Sequence, residues 1–145
     1  MKKIFVLALS FILVFGIFSC RKKGELPPTA KLEAELLKDT TEVTFIDSTT
    51  FSFDTIKEGD KIHHAFLLKN TGTKNLLIAN AFGSCGCTVP EFPKDPVKPG
   101  DTATIKVTFN STGKHDEQHK TVTLVCNTVK RNEMLYIVGF VKAKE

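Results

Sequence analysis

A chain of 145 residues, 41% hydrophobic and 25% charged, supports one domain with a buried core. Twenty basic against 16 acidic residues give a formal charge of +4, too weak an excess to imply a polyanion partner, and no nucleic acid is expected. With no Trp, one Tyr and twelve Phe, the core must be built from Phe and β-branched residues, which favours strands.

Met1-Lys2-Lys3 is a positive n-region, and Ile4 to Phe18 then runs apolar, broken only by Ser10 and Gly16. This is the pattern of a secretory signal peptide over residues 1–19. Fifteen residues rise only ~22 Å as a helix, short of the ~30 Å hydrocarbon core that a stable span must cross. The segment is therefore expected to target the chain and be removed. Its end, "GIFSC", resembles the lipobox of bacterial lipoproteins, with Ile17 where Leu is commonest. That resemblance implies diacylation of Cys20 as the new N-terminus. Two or more acyl chains, at ~0.8 kcal/mol per buried methylene, would hold the protein on a membrane where one would not. Losing Lys2 and Lys3 with the leader lowers the charge excess to +2.

Residues 20–41, "CRKKGELPPTAKLEAELLKDTT", are charged, contain Pro27-Pro28 and offer few apolar anchors. Such a segment buries too little surface to offset its ordering entropy and reads as a tether. Arg21, Lys22 and Lys23 would sit at the lipid headgroups, each contributing about 1 kcal/mol against anionic lipid. "AKLEAELLKD" carries Leu32, Leu36 and Leu37 on one side of a short helix, which is marginal alone.

From Glu42 the chain becomes a series of short strands. After "EVTFID" and "TTFSFDTI", the run "KIHHAFLLKNTGT" sets Ile62, His64, Phe66 and Leu68 on one parity and closes with a turn. "NLLIANAF" puts Leu76, Ile78 and Phe82 on one face, "KPGD" turns, and "TATIKVTFN" points Ile105, Val107 and Phe109 inward. "KTVTLVCNT" does the same with Val122, Leu124 and Cys126. The last run, "EMLYIVGFVKA", is apolar on both parities and is expected at the centre of a sheet or covered on both sides. Short strands with regular turn signals and no long helical pattern predict an all-β fold over residues 42–145: an antiparallel immunoglobulin-like β-sandwich of seven to eight strands.

Between Phe51 and Thr128 the chain carries F-x-F-x-x-I-x-x-G, F-x-x-x-N-T-G, S-C-G-C-T and P-G-x-x-x-x-I-x-V-x-F in order. This series resembles the domain of unknown function (DUF) 1573 family. The resemblance implies an immunoglobulin-like sandwich of the major-sperm-protein type, with no established activity. Cys126 stands where the family pattern implies Thr or Ser.

Cys85 and Cys87 are one glycine apart, and three outcomes are open to them. A bend at Gly86 brings their α-carbons into the ~4.4–6.8 Å window of a disulfide. So short a ring is strained, which raises its reduction potential and makes the bond labile. Two thiolates at ~2.3 Å from a zinc or copper ion would also fit such a bend. His115 and His119, at H-x-x-x-H spacing in "GKHDEQH", would complete a four-ligand site if the two connections shared one end of the sandwich. Otherwise the motif is a tight structural corner. Cys126 reads as a small buried hydrophobe, His63 as solvent-facing and His64 as an inward, hydrogen-bonded histidine.

No G-x-S-x-G elbow, phosphate-cradling glycine loop or H-E-x-x-H is present, and C-x-C is not the C-x-x-C that opens a thioredoxin-like helix. The sequence therefore reads as a non-enzymatic lipoprotein of the cell envelope, periplasm-facing, held to the membrane through Cys20 and carrying a binding module for a protein partner. No cofactor is expected. The alternative is metal binding or thiol redox at Cys85 and Cys87.

Overall fold

The structure, a computed structural model, describes residues 38–144. The leader, Cys20 and nearly all of the tether and of the short helical reading lie outside the described residues. Eight strands follow in order: β1 Val43–Phe45, β2 Thr50–Lys57, β3 Lys61–Asn70, β4 Ile78–Gly83, β5 Thr88–Glu91, β6 Thr102–Asn110, β7 Asp116–Cys126 and β8 Asn132–Lys142. They form two four-stranded sheets, β1-β3-β6-β5 and β2-β8-β7-β4. Phe66, Leu68, Ile105, Val107 and Phe109 from the first face Val122, Leu124, Leu135, Ile137 and Val141 from the second, all fully buried. Each contributes about 1.5–3 kcal/mol by leaving water, so this two-layer core is what holds the sheets together.

Five of the six strand pairings are antiparallel, and β2–β8 is parallel. The exception has a topological cause. After β1 the chain does not turn back but crosses at Asp47–Thr49 to the other sheet, keeping its direction. At the opposite side β4 likewise leaves β7 and enters the first sheet as β5. Both sides of the sandwich are thus closed by strands that change sheets, and each change leaves part of an inner strand uncovered.

β8 lies between β2 and β7, the central position expected of it. Its outer face is not covered, however: Met134, Tyr136 and Phe140 are 47%, 38% and 40% exposed. Phe82 is 50% exposed rather than inward. A register shift between Ile78 and Asn80 against β7 inserts one extra residue, so that parity reverses along β4 and Ala81 packs on the core instead.

Two buried asparagines organise one end. Asn70 Nδ2 donates to Lys74 and Val97 carbonyls at 2.7 and 2.8 Å, while its Oδ1 accepts from Thr41 Oγ1 and Gly72 N–H. Asn127 Nδ2 donates to Asp39 and Asn75 carbonyls, and its Oδ1 accepts Leu77 N–H. Thr41 also donates its N–H to the Asn127 carbonyl at 2.9 Å. The docked domain therefore already includes Asp39 and Thr41, upstream of the Glu42 boundary.

Candidate functional site

The Cys85–Cys87 turn is the point where β4 passes from one sheet to the other. Gly83 is the last residue paired to β7, opposite Val122. Ser84 then clamps the strand end: its N–H donates to the Thr121 carbonyl at 2.8 Å and its Oγ accepts Thr121 N–H at 3.2 Å. Thr88 N–H donates back to the Cys85 carbonyl at 3.1 Å, closing a four-residue turn around Gly86 and Cys87. Asn110 N–H reaches the Cys87 carbonyl at 2.9 Å and anchors the turn to the end of β6.

Within this turn Cys85 and Cys87 form a disulfide, with α-carbons 5.2 Å apart. Both cysteines are half-buried. Thr88 is buried beneath them, its Oγ1 3.7 Å from Cys85 Sγ and 3.8 Å from Cys87 Sγ, close enough for a weak O–H···S contact to either. Gly83 makes this possible, because a Cβ there would run into the carbonyl and side chain of Thr88. Thr88 is the site residue that sequence reasoning missed. Its place directly after the second cysteine was the only available signal.

The histidines do not join the sulfurs. "HDEQH" was expected on a loop, but β7 begins at Asp116, which takes the left-handed conformation with φ 65°. Asp116 lies five residues beyond Thr121, about 17 Å of extended chain at ~3.3 Å per residue. His115 is therefore far from the turn, exposed, with Nε2 3.8 Å from Asp116 Oδ2. His119 faces outward opposite Val138. Among the described residues no three His, Cys, Asp or Glu side chains gather as a metal site, so the conditional four-ligand alternative is not assembled there.

Lys120, between His119 and Thr121, turns toward the core, its Nζ 6.0 Å from the centre of the Phe109 ring. Burial holds its ammonium below the usual lysine range, and Lys114 adds to the effect. Cys126 is 1% exposed, in keeping with its parity, and burial, helped by Glu133, pushes its thiol up to about 12. It is an inert core thiol at neutral pH. His63 Nδ1 pairs with Thr108 Oγ1 at 2.9 Å on the outer face.

His64 is inward but differs from the hydrogen-bonded histidine expected. Its ring stacks on Phe51, centroids 3.8 Å apart and planes 12° off parallel, and meets Phe66 edge-on at 4.5 Å. Burial lowers its pKa, partly opposed by Asp47. The stack ties β2 of one sheet to β3 of the other on the side where the chain crosses from β1 to β2.

A concavity of about 470 Å³ lies between the loop after β5 and strand β6, lined by Glu91, Phe92, Asp95, Pro96, Asp101 and Lys106 among others. No His, Cys or Ser lines it, and Lys94 caps the Phe92 ring at 3.5 Å.

The family model for proteins of unknown function, DUF1573, matches residues 44–141, from the first strand to the last. The chain belongs to the DUF1573 family. No curated protein sequence matches it significantly. Among solved structures the DUF1573 domain is similar to a protein of unknown function from Porphyromonas gingivalis W83, at 13% identity and TM-score 0.61, over 72% of this chain and 48% of that one. It is similar to the ASH/PapD-like domain 7 of human CEP192, at 12% identity and TM-score 0.54, over 73% of this chain and 89% of that one. The secreted serine protease VesC of Vibrio cholerae matches at 11% identity and TM-score 0.54, over 77% of this chain and 24% of that one. The chain thus spans about half the length of the first of these and a quarter of the last. At such identities the likeness shows the fold alone: a PapD-like, immunoglobulin-like sandwich. In this DUF1573 domain the S-C-G-C-T motif is the strand crossover itself.

Proposed function

We propose that this DUF1573 protein is a non-enzymatic lipoprotein of the cell envelope, periplasm-facing and anchored by lipid on Cys20, whose sandwich binds another protein. The observation that carries the binding role is the outer face of the β2-β8-β7-β4 sheet. Phe82, Met134, Tyr136 and Phe140 all show large exposed apolar surface there, and monomeric proteins rarely leave such a patch uncovered without a partner. The composition argues against nucleic acid, and the leader and "GIFSC" support export and acylation. Intact mass spectrometry of the native membrane fraction tests the anchor: loss of residues 1–19 with acyl chains on Cys20 is expected, and an unacylated chain would reject it. For the binding role, a photo-crosslinker at Tyr136 should trap a discrete protein partner in cells, and Phe140→Asp should abolish the adduct. Crosslinking that ignores Phe140→Asp would count against this face.

A thiol redox role is the second reading, favoured by the half-exposed disulfide at the crossover. A metal role lacks comparable support, since a disulfide offers no thiolate and no further donors gather beside it among the described residues. Thiol trapping in cells, with and without reductant, separates the readings. A Cys85–Cys87 pair that cycles between states favours redox, and one that stays oxidised throughout favours a structural bond.

A further inference from the structure

β3 spans Lys61–Asn70, yet β1 pairs only with Leu68–Asn70, and Ile46 N–H adds one bond to the Leu67 carbonyl at 3.0 Å. Beyond that point β1 has left for the other sheet. The β1-side edge of β3 from Lys61 to Phe66 therefore has no strand beside it among the described residues. Alternation along an antiparallel strand fixes which main-chain groups are left over. Leu67 points its carbonyl toward β1, and Asn70 donates its N–H to Asp101 on the β6 side at 3.0 Å. Odd-numbered residues thus face outward, so Lys61, His63 and Ala65 present three N–H and three C=O groups with no main-chain partner among the described residues.

The surroundings specify what could pair there. On the inner side, Phe45, Phe51, Ile56 and Ile62 pack on the core but remain half-buried, and the Phe51–His64 stack closes the gap between the sheets. Side chains of alternate residues on an added strand would cover them. On the outer side, Lys61 and His63 are exposed, and Lys106 lies opposite Ala65 on the next strand. Of the nearby acids, Glu91 lies across from Lys106 and offsets its charge, Asp60 Oδ2 is engaged by Lys57 N–H, and Glu58 by Gly113 and Lys144 N–H. Asp47 sits at the far end, beside His64. Along β3 itself the outer parity carries Lys61, His63, Ala65, Leu67 and Lys69 and no acid, which favours acidic side chains on a strand laid beside it. Self-pairing of two copies about His63 would set Lys61 opposite Ala65 and His63 opposite itself, giving Lys61 no acidic partner.

We propose that the Lys61–Phe66 edge of β3 receives an extended segment of a partner protein, antiparallel to β3 and in line with β1, carrying apolar residues on one parity and acidic residues on the other. Main-chain bonds give the affinity, and the alternating pattern gives the specificity. The inference rests on the interaction-module reading and adds a second surface, with the chemical class of its ligand.

Amide hydrogen exchange of the full chain in detergent micelles tests it, with a capped decapeptide of alternating Val and Glu as probe. In the free chain the His63 and Ala65 amides should exchange at least 100-fold faster than those of Ile62, His64 and Phe66. Millimolar peptide should slow His63 and Ala65 at least 10-fold. Ala65→Pro removes an outward N–H that bonds no neighbour and should abolish this slowing. The same peptide N-methylated on alternate residues, which leaves the protein untouched, should likewise have no effect. Slow exchange at His63 and Ala65 in the free chain, slowing that survives N-methylation, or no slowing would overturn the proposal. Slowing only on the outer face around Tyr136 would overturn this edge while leaving the interaction-module reading intact.

Discussion

Thr88 packs against the bare α-carbon of Gly83, and the crossover between the sheets depends on that contact. A methyl at Gly83 must displace the Thr88 carbonyl and side chain, whereas a methyl at Gly86 meets nothing within 4 Å. Gly83→Ala should cost about 1–3 kcal/mol, as overpacking does. Gly86→Ala should stay within about 0.5 kcal/mol of the parent. Urea unfolding of the two variants checks the contrast.

The disulfide above Thr88 closes too short a loop to restrain the unfolded chain much. For three residues the chain-entropy relation gives at most about 1.6 kcal/mol. Serine at both Cys85 and Cys87 should therefore lower unfolding free energy by no more than that, with the native fold retained by circular dichroism.

Cys126 predicts loss of stability in alkali. Its folded pKa of about 12 lies above the ordinary thiol value of 9.0, so the native state keeps a proton that the unfolded chain releases. The contribution is fully present below pH 9 and is lost as pH rises from 9 toward 12, with a slope of about 1.4 kcal/mol per pH unit. Cys126→Val should remove that slope, which denaturation at stepped pH would reveal.

His64 has the opposite signature. Burial between Phe51 and Phe66 depresses its pKa below 6.5, so the unfolded chain takes up a proton first as pH falls. Stability should be unaffected by this group above pH 6.5 and decline below it, down to the folded pKa. His64→Phe keeps the stack and should flatten the acid limb of a melting-temperature profile.

Asn70→Ala would leave the Thr41 hydroxyl and the Lys74 carbonyl without this partner, while the Val97 carbonyl keeps Leu76 N–H. Each orphaned group costs about 1–3 kcal/mol where it is buried, so a total loss of about 2 kcal/mol or more is expected. Thermal unfolding of Asn70→Ala beside Asn70→Asp, which preserves only the acceptor, would apportion it.

Seven of the strands were legible because period-two patterning is strong where one face is buried, as in Ile105, Val107 and Phe109. β5 was not, since Thr88–Glu91 is short and contains Pro90, which only an edge strand tolerates. Phe82 escaped because a bulge has no sequence signature in "NLLIANAF", and parity counting fails across it. The same limit applied to the site. The Cys-Gly-Cys spacing foretold a bend tight enough for a disulfide. It did not reveal Thr88 beneath it, because that contact depends on where β4 changes sheets. "HDEQH" looked like a loop because its side chains are polar, but β8 gives β7 a full hydrogen-bonded neighbour there, and the backbone follows.

Thr50 aligns with Tyr136 and Lys57 with Lys142, so among the described residues the first long strand finds its only strand neighbour in β8. During synthesis β1 and β3 can meet early, but β2 cannot pair until β8 has been made. Non-local closure of this kind is slow, and it keeps the nascent polypeptide pliable for longer than a fold built from local hairpins would be. Under the export proposed above, that delay would leave the chain free to be threaded through a translocation pore before it compacts.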